Sequence, residues 1–116
     1  MGELLLLKDP RQRSGRKALK AVYFARHELN QLLSLYSRRV ATAEWRDYAI
    51  DHRPGFAIFS IFRHSHETPL YSVVKMPGPG GRSAEYQVLS GQERLARGAA
   101  LGDVLTLFER KLRVVS

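Results

Sequence analysis

The chain has 116 residues, of which 44% are hydrophobic and 26% charged, and its net charge is +8. This length suits one domain with a single hydrophobic core. The absence of cysteine excludes disulfides, thiol nucleophiles and cysteine-ligated metal sites, and it fits a reducing compartment.

The first residues predict a flexible basic arm over 1–21. The opening MGELLLLK has four leucines, too short a run for a secretory signal of about 7–15 apolar residues or a membrane span of about 20. The following KDPRQRSGRKALK combines charge, Pro and Gly with little apolar periodicity. We therefore expect a cytoplasmic protein without a membrane contact, whose single folded domain covers 22–116.

Two amphipathic helices are predicted, one before and one after a set of strands. Apolar residues recur at intervals of three, four and seven along the first helix, which starts at His27, and again near the end of the chain. The first set is Leu29, Leu32, Leu33, Tyr36 and Val40, and the second is Leu101, Val104, Leu105, Phe108 and Leu112.

Between the helices, alternation with a period of two predicts about five antiparallel strands. The segment FAIFSIFR, residues 56–63, is apolar on both faces, which is typical of a central strand covered on both sides. The other strands are predicted from about Trp45 to His52 and at 70–76, 85–89 and 94–97, with turn residues between them. The predicted fold class is α+β, with one antiparallel sheet and both helices packed on one of its faces. The arm, a loop or a second copy could cover the other face, so a homodimer is one expectation.

The segment AEWRDYAIDH, residues 43–52, concentrates candidate site residues. On a strand, Asp47 and Asp51 share a face but lie roughly 13 Å apart, too far to act as a catalytic carboxylate pair. We interpret the segment as a half-buried strand with Tyr48 and Ile50 directed inward. Because Trp, Arg and Tyr are enriched in binding hot spots, the predicted binding residues are Trp45, Arg46, Asp47, Tyr48 and His52.

Enzymatic and metal sites have little support. His64, His66 and Glu67 lack a further predicted ligand, and Gln31 stands where the HExxH motif requires its second histidine. The stretch PGPGGR lacks the GK[ST] ending of a phosphate loop, and no GxSxG motif is present. We therefore predict no catalytic residue, metal or cofactor. An enzyme site around Arg46, Asp47, Tyr48 and His52 is the least favoured alternative.

Nucleic-acid binding through the arm is the main alternative to a protein partner. Seven Lys or Arg residues against two acidic ones give the first 26 residues five of the eight net charges. Such a segment binds phosphates in a salt-sensitive way. The residues predicted to do so are Arg11, Arg13, Arg16, Lys17, Lys20 and Arg26.

The chain also resembles a bacterial family of small proteins classified as a domain of unknown function. The resemblance covers most of residues 27–112 and rests on five motifs: HELN at 27–30, L-x-x-x-Y at 32–36, EWRDYAID at 44–51, FSIFR at 59–63 and PLY at 69–71. It implies a short single-domain cytoplasmic protein and no catalytic residues. The combined prediction is a non-enzymatic binding or regulatory module that contacts a protein partner or itself through the sheet face.

Overall fold

The structure is a computed structural model that describes residues 21–64, 68–81 and 83–115. Apart from Ala21, the predicted arm lies outside the described residues. The elements in chain order are α1 (Arg26–Ala41), β1 (Asp47–Arg53), β2 (Phe56–Phe62), β3 (Tyr71–Pro77), a 3-10 turn (Pro79–Gly81), β4 (Ala84–Ser90), β5 (Glu93–Gly98) and α2 (Leu101–Val115).

The five strands form one antiparallel sheet in the order of the chain, β1-β2-β3-β4-β5. Adjacent strands therefore need only short connections. The turn from β1 to β2 contains Gly55 with φ 89°, a backbone conformation that glycine adopts without the steric cost of a side chain. In the connection after β3, the Gly78 amide donates a hydrogen bond to the Ser83 carbonyl, which closes the loop before β4 begins.

Both helices pack on the same face of the sheet. Tyr36 of α1 contacts Tyr48 of β1 with ring centroids 4.8 Å apart, and Phe108 of α2 contacts Tyr71 of β3 at 5.0 Å. A single hydrophobic core joins the helices to alternate residues of the central strands; its members include Leu32, Leu35, Ala57, Phe59, Ile61, Val73, Val88, Leu101, Val104 and Phe108. These contacts confirm the predicted α+β fold class and the packing of both helices on one sheet face.

Helix α1 has its buried residues on one stripe: Glu28, Leu32, Leu35 and Arg39. The spacing of four, three and four places them on the same side of the helix. Helix α2 spans 15 residues. Neither helix in the described part of the chain is long and apolar enough to cross a membrane.

Candidate functional site

No helix among the described residues covers the second face of the sheet. Residues of β2 alternate between buried and partly exposed along the whole strand. The buried ones point toward the helices, and the partly exposed ones lie on the second face. The register aligns Ile58 with Val74 of β3 and Gln87 of β4. Six apolar side chains lie on this surface, called here the uncovered face: Phe56, Ile58, Phe62, Val74, Met76 and Leu89. Ser60 separates Phe62 from Ile58 along β2, and Ser72 lies between Ser60 and Leu89 in the register.

The two edges of the uncovered face carry different charges. Strand β1 presents Asp47 and Asp51 there, and Asp51 pairs with Arg53 at 2.8 Å. Strand β5 presents Arg97, opposite Gln87, and Arg94, which an irregularity after Val88 places opposite Leu89. The β1 edge therefore has two carboxylates and one guanidinium, whereas the β5 edge has two guanidinium groups. Arg97 also lies 3.6 Å from Glu85 of β4.

Trp45 lies in the core, which corrects its prediction as a surface contact. Its exposure is 2%, and its ring meets Phe108 edge-on at 5.3 Å. The strand begins at Asp47, so the alternation assumed from the sequence does not extend back to Trp45. Instead, the turn after α1 folds back, with the Glu44 amide donating to the Arg39 carbonyl at 3.0 Å, and this brings the indole under the helices.

The other four predicted binding residues are exposed but do not form one surface. Tyr48 and His52 face the helices, as the alternation predicts, whereas Asp47 lies on the uncovered face. Arg46 precedes β1 and is exposed. The side chains of residues 43–52 therefore lie on two faces of the sheet and do not form one binding site.

Tyr48 and His52 close the edge of the core beside α1. The Tyr48 ring stacks on Phe59 at 5.2 Å, and the His52 ring lies 4.7 Å from that of Tyr23. Tyr48 remains 39% exposed. These contacts give both side chains a structural role at the margin of the core.

A buried polar cluster, which sequence reasoning missed, ties α1 to β3 and β4. The carboxylate of Glu28 accepts hydrogen bonds from Lys75 Nζ at 2.8 Å and from the Tyr86 hydroxyl. It also accepts from the Ala25 amide at 2.6 Å, which satisfies a free donor at the helix N-terminus. Lys75 Nζ donates to the Tyr23 carbonyl at 2.8 Å, so the segment before α1 joins the same network.

The hydrogen bonds of this cluster keep Glu28 ionised. Burial alone would raise the pKa of Glu28, but hydrogen bonds from Lys75, Tyr86 and the Ala25 amide, with the charge of Lys75, outweigh it and lower the pKa. Burial, then the hydrogen bond to Glu28 and its charge, raise the pKa of Tyr86 well above its usual value. The cluster therefore holds an ionised carboxylate and a neutral phenol.

A second buried charge, Arg39, joins the end of α1 to α2. Its guanidinium donates to Glu44 Oε1 and to the Phe108 carbonyl, both at 2.6 Å, and lies 5.2 Å from the centre of the Trp45 ring. Its Nε has no hydrogen-bond partner. Glu28 and Arg39 lie on the same stripe of α1 as the buried Leu32 and Leu35. Charged residues in register with an apolar stripe were the signal in the sequence that could have identified both clusters.

An open cleft of about 240 Å³ lies between the helices, bordered by Arg38 and Glu109, which pair at 3.3 Å. Within the described ranges, no group of three or more acidic or histidine side chains is placed to hold a metal. His66 and Glu67 lie outside those ranges.

Most of the predicted nucleic-acid residues also lie outside the described residues: Arg11, Arg13, Arg16, Lys17 and Lys20. Arg26 is described and is exposed at the start of α1. Binding of nucleic acid by the arm therefore stays a prediction.

Comparison with known proteins gives a family and no activity. A family model described as a protein of unknown function (DUF2794) matches residues 22–105, from the segment before α1 into α2. No curated protein and no solved structure matches the chain. The match confirms the expected resemblance to a family of unknown function, and the chain belongs to the DUF2794 family of proteins of unknown function.

Proposed function

We propose that the protein is an interaction module whose contact surface is the uncovered face of the sheet. The observation that carries this proposal is the apolar group on that face, in which Phe56 and Ile58 of β2 lie beside Val74 and Met76 of β3, between two charged edges. A contiguous apolar patch with a polar rim is typical of a protein interface.

The buried polar clusters support folding better than catalysis. Glu28 is 4% exposed and Tyr86 is 7% exposed, so a substrate could not reach either group without opening the fold. Their hydrogen-bonding groups are directed at each other and at backbone atoms that join α1 to the sheet. On the uncovered face, in contrast, Phe56, Ile58, Phe62, Met76 and Leu89 are partly exposed, whereas Val74 is 6% exposed.

Site-specific photo-crosslinking tests this proposal. A photoreactive phenylalanine replaces Ile58, a partly exposed residue at the centre of the face, and in a matched control it replaces Thr106, an exposed residue of α2. We expect covalent adducts of defined mass from position 58, both in cells and with purified protein if the partner is the same chain. Equal adduct formation at the two positions, or none at either, would contradict the proposal.

A further inference from the structure

We propose that the occupant of the uncovered face is a second copy of this chain, packed face to face with β1 of each copy over β5 of the other. This inference rests on the proposed function and adds the identity of the partner and the geometry of contact. Three observations support it: the distribution of charge on the face, the register that aligns residues of the five strands in rows across the sheet, and the area of the face.

The charge distribution favours a particular two-fold arrangement. A two-fold axis parallel to the strands, between two facing sheets, exchanges their edges. The β1 edge, whose Asp47, Asp51 and Arg53 give a net negative charge, then lies against the β5 edge of the other copy, where Arg94 and Arg97 beside Glu85 give a net positive charge. An axis perpendicular to the strands would instead place the two β5 edges together, which is unfavourable because Arg94 and Arg97 of the two copies would face each other.

The register makes this pairing specific. Asp51 and Arg97 occupy the two ends of one row across the sheet, which runs through Ile58, Val74 and Gln87. Rotation about an axis along the strands preserves position along the strand, so Asp51 of each copy lies over Arg97 of the other. The same rotation places the central strand β3 over its own copy. Val74, which is 6% exposed, then lies near the axis, and the partly exposed Ile58 beside it lies close to the other copy.

The size of the face is sufficient for such a contact. Five strands about 4.8 Å apart, each about seven residues long at about 3.3 Å per residue, form a surface of roughly 24 Å by 23 Å, or roughly 550 Å². Two such faces amount to about 1,100 Å², which exceeds the ~1,000 Å² minimum for a biological interface and lies just below the ~1,200–2,000 Å² of stable complexes. Face-to-face packing of sheets also leaves about 10 Å between them, enough for the apolar side chains to interdigitate.

Charge reversal tests the geometry. The two variants are Asp51→Arg and Arg97→Glu, whose native side chains are 53% and 58% exposed. Each variant alone places like charges over each other twice in the dimer. We expect sedimentation over a concentration series to show a dimer for the wild type and at least about a tenfold rise in the dimer dissociation constant for each variant.

Mixing the two variants provides the decisive result. In a mixed dimer, Arg at position 51 of one copy meets Glu at position 97 of the other, and the remaining contact is the native Asp51 to Arg97 pair. We therefore expect the mixture to dimerise to within about threefold of the wild-type dissociation constant. Circular dichroism of each variant verifies that the fold is retained.

Matched controls separate this effect from net charge. Glu93→Arg and Arg46→Glu make the same changes in charge at exposed positions away from the uncovered face. Both should dimerise as the wild type does. Equal weakening by the controls, or a mixture that stays as weak as its components, would overturn the proposed pairing.

The outcome also separates this inference from the proposed function. A monomeric wild type whose position 58 crosslinks to a different protein would overturn the second-copy inference and leave the face as an interface. A crosslink from position 58 to residues 1–20 of the same chain would likewise assign the face to another occupant. An absence of position-dependent crosslinks together with a monomeric wild type would contradict both.

Discussion

Replacing Trp45 with alanine is expected to lower the free energy of unfolding by about 3–5 kcal/mol. The side chain is 2% exposed and is the only tryptophan of the chain. Its ring contacts Phe108 of α2 at 5.3 Å and Tyr71 of β3 at 6.2 Å, and the Arg39 guanidinium lies over it. Truncation leaves a cavity where the sheet and helices meet, so chemical denaturation followed by far-ultraviolet circular dichroism should show a large loss of stability.

The adjacent residue is the control for this prediction. Arg46 is exposed and has no side-chain hydrogen bond or ion pair among the described residues, so Arg46→Ala should change stability by no more than about 0.5 kcal/mol. Similar small changes in the free energy of unfolding for both substitutions would contradict the placement of Trp45 in the core and would indicate a surface position.

Replacing Lys75 with methionine is expected to cost about 3 kcal/mol of unfolding free energy at neutral pH, because it leaves the buried carboxylate of Glu28 without its counter-charge. The Lys75 side chain is 17% exposed and that of Glu28 is 5% exposed, so solvent compensates little for the loss. Urea denaturation measures the effect. Arg38→Met, which breaks an exposed pair with Glu109, is the control and should cost no more than about 1 kcal/mol.

The effect of pH on this pair has a defined sign. The pKa of Glu28 is lower in the folded protein than its ordinary value of 4.5, so its contribution is present above that value and is lost as pH falls through the folded pKa. Lys75→Met removes a hydrogen bond and a charge that lower this pKa but retains the burial that raises it. The stability difference between wild type and Lys75→Met should therefore narrow as pH falls through the acid range.

A double variant tests the same explanation. Glu28→Gln combined with Lys75→Met removes both charges, so it should be more stable at neutral pH than Lys75→Met alone. A double variant that is less stable by the sum of the two single losses would show that the two side chains act independently.

The sequence was sufficient to predict the elements of the fold because their periodicities are clear. The helical spacing from Leu29 to Val40 and the period of two from Asp47 onward depend on local geometry, and the structure confirms a helix and a strand there. The predicted stripe of α1 is wrong in part, because Val40 is 41% exposed and Leu35 is buried instead. The pairing of consecutive strands follows because short turns join antiparallel neighbours. The predicted inward orientation of Tyr48 and Ile50 is also observed.

The remaining features depend on contacts between distant residues. Trp45 is two residues before the strand, and the turn that directs it inward is fixed by hydrogen bonds to the end of α1. Glu28 and Lys75 are 47 positions apart, and Tyr86 comes from a further strand. Periodicity does not show which charged residue on a helix meets which residue of a sheet. The segment FAIFSIFR predicted that the second face of the sheet is partly apolar. The opposite charges of the two edges of that face became evident only once the strand register was known.

Hydroxyl-radical footprinting of the purified full-length protein over a concentration series tests most directly whether a second copy covers the uncovered face. Phe56, Phe62 and Met76 report on that face, and Tyr23, which is 60% exposed, is the internal reference. We predict that the oxidation rates of the three face residues fall as concentration rises while the rate of Tyr23 stays constant. Oxidation rates at Phe56, Phe62 and Met76 that do not change with concentration would contradict the proposed second-copy contact.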